Sequence, residues 1–406
     1  MADRLVYVSR LIGLPLLGPD GVEIGRLADV VLGTPALGEA PRVNGFVVAV
    51  QRRRLFVSAG RIGDLGSEGA RLRYGSIGIH QFSPHLGEVL VASEVVGRRA
   101  RGKRVVDVGI RPVPGVSYAW ELTTLALGSM GLLGHRSPEI VGWDELADLF
   151  VADQPTARQA AAIGLLHPVE MAEAIRKLPL ERRRVLAGAL GDERLADLLE
   201  ELPESEQVRI VEGLDLEHAA RVLDEMDADD AADLLGELPK GRRDALLGAM
   251  APDEAAPVRR LLTYAANTAG GLMTPEPVIM PPTATIAEAL ARVRDPDLPV
   301  SLAAQVFVTG APHETPTGRY IGIVGIQRLL REVPSKTLGR CLDEQPEAVS
   351  VNISEQEVAG RLADYDAVAV PVTDAEGRLV GAVTVDDVMR RLLPQNAANG
   401  WGHGAG

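Results

Sequence analysis

The chain of 406 residues is 46% hydrophobic, 24% charged and 3% aromatic, a composition typical of a globular protein. Its single cysteine, Cys341, excludes an intramolecular disulfide and is typical of a protein in a reducing compartment. Residues 1–150 hold 17 basic and 15 acidic side chains, whereas the remaining residues hold 25 basic and 41 acidic ones, which argues against nucleic acid as a partner and favours cations. The longest weakly polar stretch, 122–134, is too short and interrupted to span a membrane, and the N-terminus lacks a signal-peptide core, so the sequence predicts a cytoplasmic protein.

The first 150 residues are predicted to be β-rich. Short apolar runs such as NGFVVAV and RLFVSAG are separated by turn signals such as GPDG at 18–21. The segment 13–33 is similar to the segment 97–110, which indicates an internal duplication. The pattern resembles two PRC-barrel domains in tandem, at 1–80 and 86–152, and any other pair of small β-barrels is the alternative.

A helical repeat is predicted from 156 to 266. AEAIRKLP at 172–179, ADLLEELP at 196–203 and ARVLDEMD at 220–227 recur every 24 residues. One period has room for two helices of about ten residues, which are too short to be stable alone and must pack on their neighbours in a superhelix. Prolines mark the points where one helix ends and the next begins.

The rest of the chain is predicted to form two β-α-β-β-α repeats, at 270–340 and 341–394, followed by a disordered tail at 395–406. The junction before them reads AGGLMT at 269–274, and its glycine pair interrupts the helical pattern. The predicted fold class is therefore multidomain α+β, with two small β-barrels, an all-α superhelix and a pair of β-α-β-β-α repeats.

The order of superhelix, AGGLMT junction and paired repeats resembles the cytosolic half of the MgtE family of magnesium transporters, in which the paired repeats are CBS domains. The specific matches are VPVTDAEGRLVGAVTVDDV at 370–388, LADYD at 362–366 and MDADDAADLLGELP at 226–239. Members of this family continue into a membrane domain. Because this sequence ends soon after its last predicted helix, we expect that the chain is not itself the pore.

The acidic run DEMDADDAAD at 224–233 is the candidate metal site. Asp229 and Asp233 are four residues apart, hence on one face of a helix. The resemblance implies that they help to hold Mg²⁺ between the superhelix and the CBS pair, with Asp364 and Asp366 as partners on the CBS side. Two facing acidic surfaces repel until a divalent ion joins them, which predicts a two-state switch about the glycine junction. The alternatives are that the acidic run serves the helix start, with Asp227 and Asp230 as its caps, and that Asp364 and Asp366 lie in a solvated helix-to-strand turn.

The stretch GAVTVDD resembles the nucleotide-binding pattern of CBS repeats, with Gly381, Thr384 and Asp387 as its members. A carboxylate accepts hydrogen bonds from ribose hydroxyls, and a Thr hydroxyl with free N–H groups at a helix start donates to phosphate. This predicts a site for ATP or another adenine nucleotide, and a simple helix cap is the alternative. Gly325 and Arg328 stand at the equivalent positions of the first repeat, so at most one nucleotide site is expected per chain.

We expect no enzymatic activity, because the sequence has no P-loop, no nucleophile–base motif and no zinc ligand set. The seven histidines are scattered and are predicted to be surface or loop residues. The leading hypothesis is a Mg²⁺-sensing regulatory protein that controls a separate magnesium or divalent-cation transporter and forms a homodimer through 275–393. The alternatives are an adenine-nucleotide sensor and a structural scaffold. Asp229→Ala with Asp233→Ala should remove a Mg²⁺ response only, and Asp387→Ala should remove nucleotide binding only.

Overall fold

The structure, a computed structural model, describes residues 5–35, 39–51, 53–73, 82, 84, 87–114, 116, 118–128, 138–150, 155–295, 298–344 and 346–392. The predicted tail at 395–406 lies outside these residues. They form two compact units, one of residues up to 226 with 238–255, and one of 227–237 with the residues from 256 on. No helix in the described ranges has the length and apolar character that a membrane span needs.

Strands dominate the first 150 residues, as predicted. They are β1 (Val6–Tyr7), β2 (Pro15–Leu17), β3 (Glu23–Leu32), β4 (Val43–Val50), β5 (Arg53–Ser58), β6 (Ile62–Gly66), β7 (Gly69–Leu72), β8 (Val89–Leu90), β9 (Arg99–Ala100), β10 (Lys103–Pro112), β11 (Trp120–Gly128) and β12 (Glu139–Gly142), with one short helix, α1 (Val8–Leu11). One sheet has the order β5-β4-β3-β2-β7-β6 with β8 beside β3, and the other has the order β1-β10-β11-β12 with β9 beside β10. A single hydrophobic core contains residues from both sheets.

The two sheets exchange their first strands. β1 pairs antiparallel with β10, in the sheet formed by the later residues, and β8 pairs antiparallel with β3, in the sheet formed by the earlier ones. A short helical turn follows each exchanged strand: α1 follows β1, and one π-helical turn at Val91–Val95 follows β8. The duplication in the sequence is thus an intertwined pair, and its assignment to PRC-barrel domains stays a prediction.

Two aspartates fix the exchanged segments. Asp29 in β3 is fully buried and accepts hydrogen bonds from the backbone N–H groups of Ala92, at 2.7 Å, and Ser93, at 3.0 Å. Asp107 in β10 accepts one from the backbone N–H of Ser9 at 3.0 Å. Each aspartate follows a β-bulge in its strand. The carboxylates therefore satisfy free N–H groups at the start of a helical turn that the other half of the chain supplies.

The helical repeat has the predicted period. Its helices are α2 (Pro155–Ile163), α3 (Pro168–Arg176), α4 (Leu180–Ala187), α5 (Asp192–Glu200), α6 (Glu204–Val211), α7 (Leu216–Glu225), α8 (Ala228–Glu237), α9 (Lys240–Ala249) and α10 (Pro252–Leu261). In the first unit α3 packs on α5, α5 on α7, and α7 on α9, while α2 packs on α4 and α4 on α6. Pro179, Pro203 and Pro239 stand directly before α4, α6 and α9. This position suits proline, since the first N–H groups of a helix have no partner within it.

The buried carboxylate of Asp192, in the first unit, is paired with two basic side chains. Asp192, at the start of α5, accepts a hydrogen bond from Arg221 Nε at 2.7 Å and lies 3.3 Å from His218 Nε2. Burial raises the pKa of Asp192, but the hydrogen bond to His218 and the charge of Arg221 outweigh it and lower the pKa to about 2. His218 is 3% exposed, so the expectation that the histidines are surface or loop residues is wrong here.

The second unit contains the two predicted repeats. The first has β13 (Ile279–Met280), α12 (Ile286–Val293), α13 (Val300–Ala303), β14 (Gln305–Thr309), β15 (Tyr320–Gly325) and α14 (Ile326–Arg331), and the second has β16 (Val349–Ser350), α15 (Glu355–Asp364), β17 (Ala369–Thr373), β18 (Leu379–Thr384) and α16 (Val385–Leu392). In each repeat the first strand runs parallel to the second, which pairs antiparallel with the third. This confirms the predicted α+β fold class.

The AGGLMT junction is compact. Ala269–Leu272 forms a short helix, α11, and both of its glycines are buried. A Cβ on Gly270 would lie 2.7 Å from the Tyr264 ring, and one on Gly271 would lie 2.4 Å from the Ala265 carbonyl oxygen. The glycine pair therefore permits close packing, whereas the sequence suggested only a break in the helical pattern.

Candidate functional site

The acidic helix α8 belongs to the second unit, where it faces α16 of the second repeat. Asp229 and Asp230 lie in the first turn of α8, and Asp233 follows one turn later. The opposite face of α8 is apolar, and its residues, such as Ala231 and Leu235, are buried. Burial of this face orients the acidic face towards neighbouring charged groups. α16 begins with two aspartates and ends with two arginines, Arg390 and Arg391, in its last turn.

The carboxylates between α8 and α16 are only partly neutralised. Burial, and then repulsion from Asp230, Asp387 and Asp227, raises the pKa of Asp229 well above its ordinary value. Burial also raises the pKa of Asp230 to about 7, although the charge of Arg390 opposes the shift. Within the described residues no cationic side chain pairs with Asp229. A concentration of hard oxygen donors with excess negative charge suits a divalent cation such as Mg²⁺, which keeps waters at its other coordination positions.

Asp387 is the partner of α8 that the sequence did not identify. Burial raises its pKa to about 6, with Thr384 lowering it through a hydrogen bond and Asp386 raising it by repulsion. The sequence predicts a role in nucleotide binding for this residue, and its negative charge also contributes to the raised pKa of Asp229. The available signal was a pair of aspartates at the start of α16 and a pair of arginines at its end, but this pattern does not identify which helix they face.

Asp364 and Asp366, the predicted metal ligands of the second repeat, are exposed at the C-terminal end of α15. Asp364 is the last residue of α15, and Asp366 follows it with φ of 48°. Both are exposed, and neither carboxylate has a hydrogen bond or ion pair to a described residue. Among the acidic residues of the second repeat, Asp387 is one whose negative charge helps to raise the pKa of Asp229, and a metal-binding role for Asp364 and Asp366 stays a prediction.

The predicted nucleotide residues form a local helix cap. Thr384 is 3% exposed, and its hydroxyl donates a hydrogen bond to the Asp387 carboxylate, which also accepts from the Thr384 backbone N–H at 3.4 Å. This arrangement closes the start of α16 with the residues that were predicted to hold ribose and phosphate. Capping and ligand binding would therefore compete for the same two side chains.

Gly381 has a packing role that the sequence did not reveal. A Cβ at this position would lie 2.5 Å from the Thr274 carbonyl oxygen and 2.8 Å from Met273 Sδ. The chain after α11 runs along β18 here, where Thr274 N–H donates to the Ala382 carbonyl at 2.9 Å and Ala382 N–H donates back at 3.0 Å. Only glycine lets the two backbones approach so closely.

The equivalent place in the first repeat is occupied by the chain's own carboxylate. Asp343 accepts a hydrogen bond from the Gly325 backbone N–H at 2.7 Å and another from the Arg328 guanidinium. The start of α14 is therefore already bound to an anionic group, and the arginine supplies its counter-charge. This contact supports the prediction of at most one nucleotide site per chain.

Comparisons with known proteins agree with this arrangement. Residues 166–267 match the MgtE intracellular N domain, and residues 269–335 and 339–394 match the CBS domain. The magnesium transporter MgtE of Thermus thermophilus is 34% identical over 138 residues, which are 34% of this chain and 30% of that protein. The chain therefore spans less than a third of that relative.

Two solved structures resemble the chain closely. One is the cytosolic domain of the Mg²⁺ channel MgtE in complex with ATP, with a TM-score of 0.52, 30% identity, and coverage of 58% of this chain and 95% of that one. The other is the soluble part of a magnesium transporter, with a TM-score of 0.52, 27% identity, and coverage of 59% and 93%.

The fold and the matched residues define a protein in which a helical N domain precedes a CBS pair. Residues 166–394 belong to the MgtE family, as its intracellular N domain and CBS domains. The matched families are cytosolic parts of transporters and CBS domains. These matches begin at residue 166, so they leave the β-rich region without an assigned role.

Proposed function

We propose that the protein is a Mg²⁺-responsive, non-catalytic regulatory protein of the cytoplasm, which acts on a magnesium or other divalent-cation transporter. The observation that carries the proposal is the contact of α16 with α8 through Arg390 and Arg391, which leaves Asp229 on α8 and Asp387 on α16 without an ion pair to a described side chain. α8 lies within the matched N domain and α16 within the matched CBS pair. A cation held by these two residues would link the two domains.

Electrostatics supplies the switch. Two carboxylates about 4 Å apart repel by about 1 kcal/mol in bulk water and by about 4 kcal/mol at an effective dielectric constant of 20. A divalent cation between them replaces this repulsion with attraction, and its affinity stays modest because Mg²⁺ keeps most of its waters. Binding of Mg²⁺ would therefore hold α8 on the second CBS repeat, and loss of Mg²⁺ would weaken that contact.

Small-angle X-ray scattering with calorimetric titration tests this proposal. We expect millimolar Mg²⁺ to compact the protein at constant ionic strength, and matched monovalent salt to leave it unchanged. Asp229→Asn should abolish both compaction and Mg²⁺ binding. Asp364→Asn with Asp366→Asn is the matched control, because it removes two exposed carboxylates of the same repeat. Unchanged scattering and no binding heat in the wild-type protein would overturn the proposal, and loss of binding in the control would return the site to Asp364 and Asp366.

An adenine nucleotide is a second candidate ligand. The observation that favours it is the likeness of this chain to the cytosolic domain of the Mg²⁺ channel MgtE, whose structure is a complex with ATP. Thr384 is the residue to change, because Asp387 serves the predicted nucleotide site and also faces Asp229, so Asp387→Ala cannot separate the two functions. We expect Thr384→Val to reduce binding of ATP and to leave Mg²⁺ binding intact. The opposite result would remove the nucleotide from the proposal.

We also propose a homodimer through the CBS pair. Apolar side chains on this unit are exposed, among them Val300, Leu330 and Val333. Large apolar side chains with this degree of exposure are frequent at protein–protein interfaces, which supports the proposal. Analytical ultracentrifugation of the wild-type protein and of Leu330→Glu checks this, with a monomeric wild type as the contradicting result.

A further inference from the structure

Two arginines of α16 contact the acidic face of α8. Arg391 Nη2 donates a hydrogen bond to Asp233 Oδ2 at 2.9 Å, and Arg390 Nη1 lies 3.9 Å from Asp230 Oδ2. The arginines occupy the last turn of α16, where positive charge also interacts favourably with the helix dipole. Both contacts join helices of the second unit, and the residues of the Arg391–Asp233 contact are 158 positions apart in the chain.

The arginines neutralise only part of the acidic face. Asp230 and Asp233 each have a guanidinium partner, whereas Asp229, on the same helix, has no ion pair to a cationic side chain of the described residues. We propose that Arg390 and Arg391 are built-in counter-ions that hold α8 on the second CBS repeat without a metal and confine the cation site to Asp229 and Asp387. This inference rests on the proposed function, and it assigns Asp233, which the resemblance placed among the metal ligands, to an arginine.

The chemistry of guanidinium explains the division of roles. An arginine is always charged and its planar donors match a carboxylate, so it keeps its partner whatever the concentration of divalent ions. The side chains are partly exposed, at 25% and 33% for Arg391 and Asp233, and at 48% and 29% for Arg390 and Asp230. Each pair is therefore weak, and the contact that the arginines maintain stays reversible. Their charge also repels a cation beside Asp229, which lowers the affinity of the site.

Hydrogen exchange in EDTA tests the counter-ions without any metal. The variant is R390Q/R391Q, the charge-retaining variant is R390K/R391K, and the control is R331Q, which changes an exposed arginine of α14 in the first repeat. We expect the backbone amides of 228–237 to exchange about fivefold faster in R390Q/R391Q than in wild type, since two weak pairs are lost. R390K/R391K should restore most of the protection, and R331Q should match wild type. Equal exchange in wild type and R390Q/R391Q would overturn the inference.

Titration with Mg²⁺ supplies the second readout. Removing two positive charges beside the site should tighten Mg²⁺ binding by about tenfold in R390Q/R391Q and leave R331Q unchanged. Weaker binding in R390Q/R391Q would overturn the counter-ion role. If wild type binds no Mg²⁺, the proposed function fails, while the exchange measurement in EDTA still decides whether the arginines hold α8.

Discussion

The two CBS repeats of this chain have equivalent strand pairing but a different charge balance at the start of their last helix. β14 pairs with β15 as β17 pairs with β18, with a register shift at the corresponding position, Thr309 in one and Thr373 in the other. In the first repeat Asp343 and Arg328 form a balanced pair beside α14. In the second, Asp387 lies among other carboxylates, with burial and Asp386 raising its pKa to about 6. The fold thus positions a carboxylate near the start of the last helix in both repeats. The neighbouring side chains determine whether an arginine neutralises that carboxylate or whether its charge is left for a cation.

The largest expected difference between the repeats concerns a glycine in their last strand. Gly381→Ala should lower the free energy of unfolding by about 3 kcal/mol, because the new Cβ would lie 2.5 Å from the backbone oxygen of Thr274. Gly322→Ala, the matched change in β15, should lower it by less than about 1 kcal/mol, because the Cβ would meet only the Leu342 side chain, at 3.2 Å. Urea denaturation of both variants checks this. Equal losses would show that the close approach of the chain to β18 does not distinguish the repeats.

The second difference concerns the carboxylates themselves. Asp343→Asn should lower the free energy of unfolding by about 1 to 2 kcal/mol, because it removes a helix-capping charge and the closer of the two carboxylates that pair with Arg328. Asp387→Asn in EDTA should leave the free energy of unfolding unchanged or raise it, because it removes a carboxylate from a cluster of like charges. Denaturation in EDTA measures both variants. A loss at Asp387 as large as that at Asp343 would contradict the difference in charge balance.

The third prediction is a dependence of stability on pH that Mg²⁺ removes. The pKa values of Asp230 and Asp387 are raised to about 7 and about 6, so the folded state holds protons that the unfolded state has already lost. The free energy of unfolding should therefore fall in EDTA as the pH rises from about 4 to about 7. We expect a decrease of about 1 kcal/mol or more, with Mg²⁺ flattening the curve. Asp230→Asn with Asp387→Asn should flatten it without metal, and a persisting slope in that variant would place its origin elsewhere.

The smallest predicted effect tests whether Asp366 belongs to the proposed cation site. Asp366 has φ of 48°, a left-handed conformation that favours glycine. Asp366→Gly should raise the free energy of unfolding by about 0.5 kcal/mol and leave Mg²⁺ affinity unchanged. Thermal unfolding and calorimetric titration measure the two quantities. A loss of Mg²⁺ affinity would show that Asp366 belongs to the cation site.

The elements that repeat along the chain could be predicted from the sequence. Apolar residues at helical spacing, with prolines at 179, 203 and 239, located the paired helices, and alternating apolar runs located β17 and β18. These patterns are local, because each reports the buried face of one element. They also predicted that Asp229 and Asp233 share a helix, which the structure confirms.

The partners of those residues could not be predicted from such patterns. Asp387 and Arg391 reach α8 through long-range packing, and no periodicity of charged residues identifies the helix that they face. Gly381 fits a ligand-binding motif, and the close approach of the Thr274 backbone also requires a glycine there. Because both reasons select the same residue, the sequence cannot distinguish them. Asp29, buried at a bulge, gave no signal at all, since its hydrogen-bond donors come from the other half of the duplication.

The exchanged strands β1 and β8 make the β-rich region indivisible. A fragment that ends before Val89 loses the strand that pairs with Val31 and Leu32 at one end of β3, and it leaves the Asp29 carboxylate buried without its main donors. A fragment that begins after Leu11 loses the same elements from β10. The two halves are therefore interlocked like subunits of a swapped dimer that share one polypeptide, and any module grafted or deleted in evolution has to carry both.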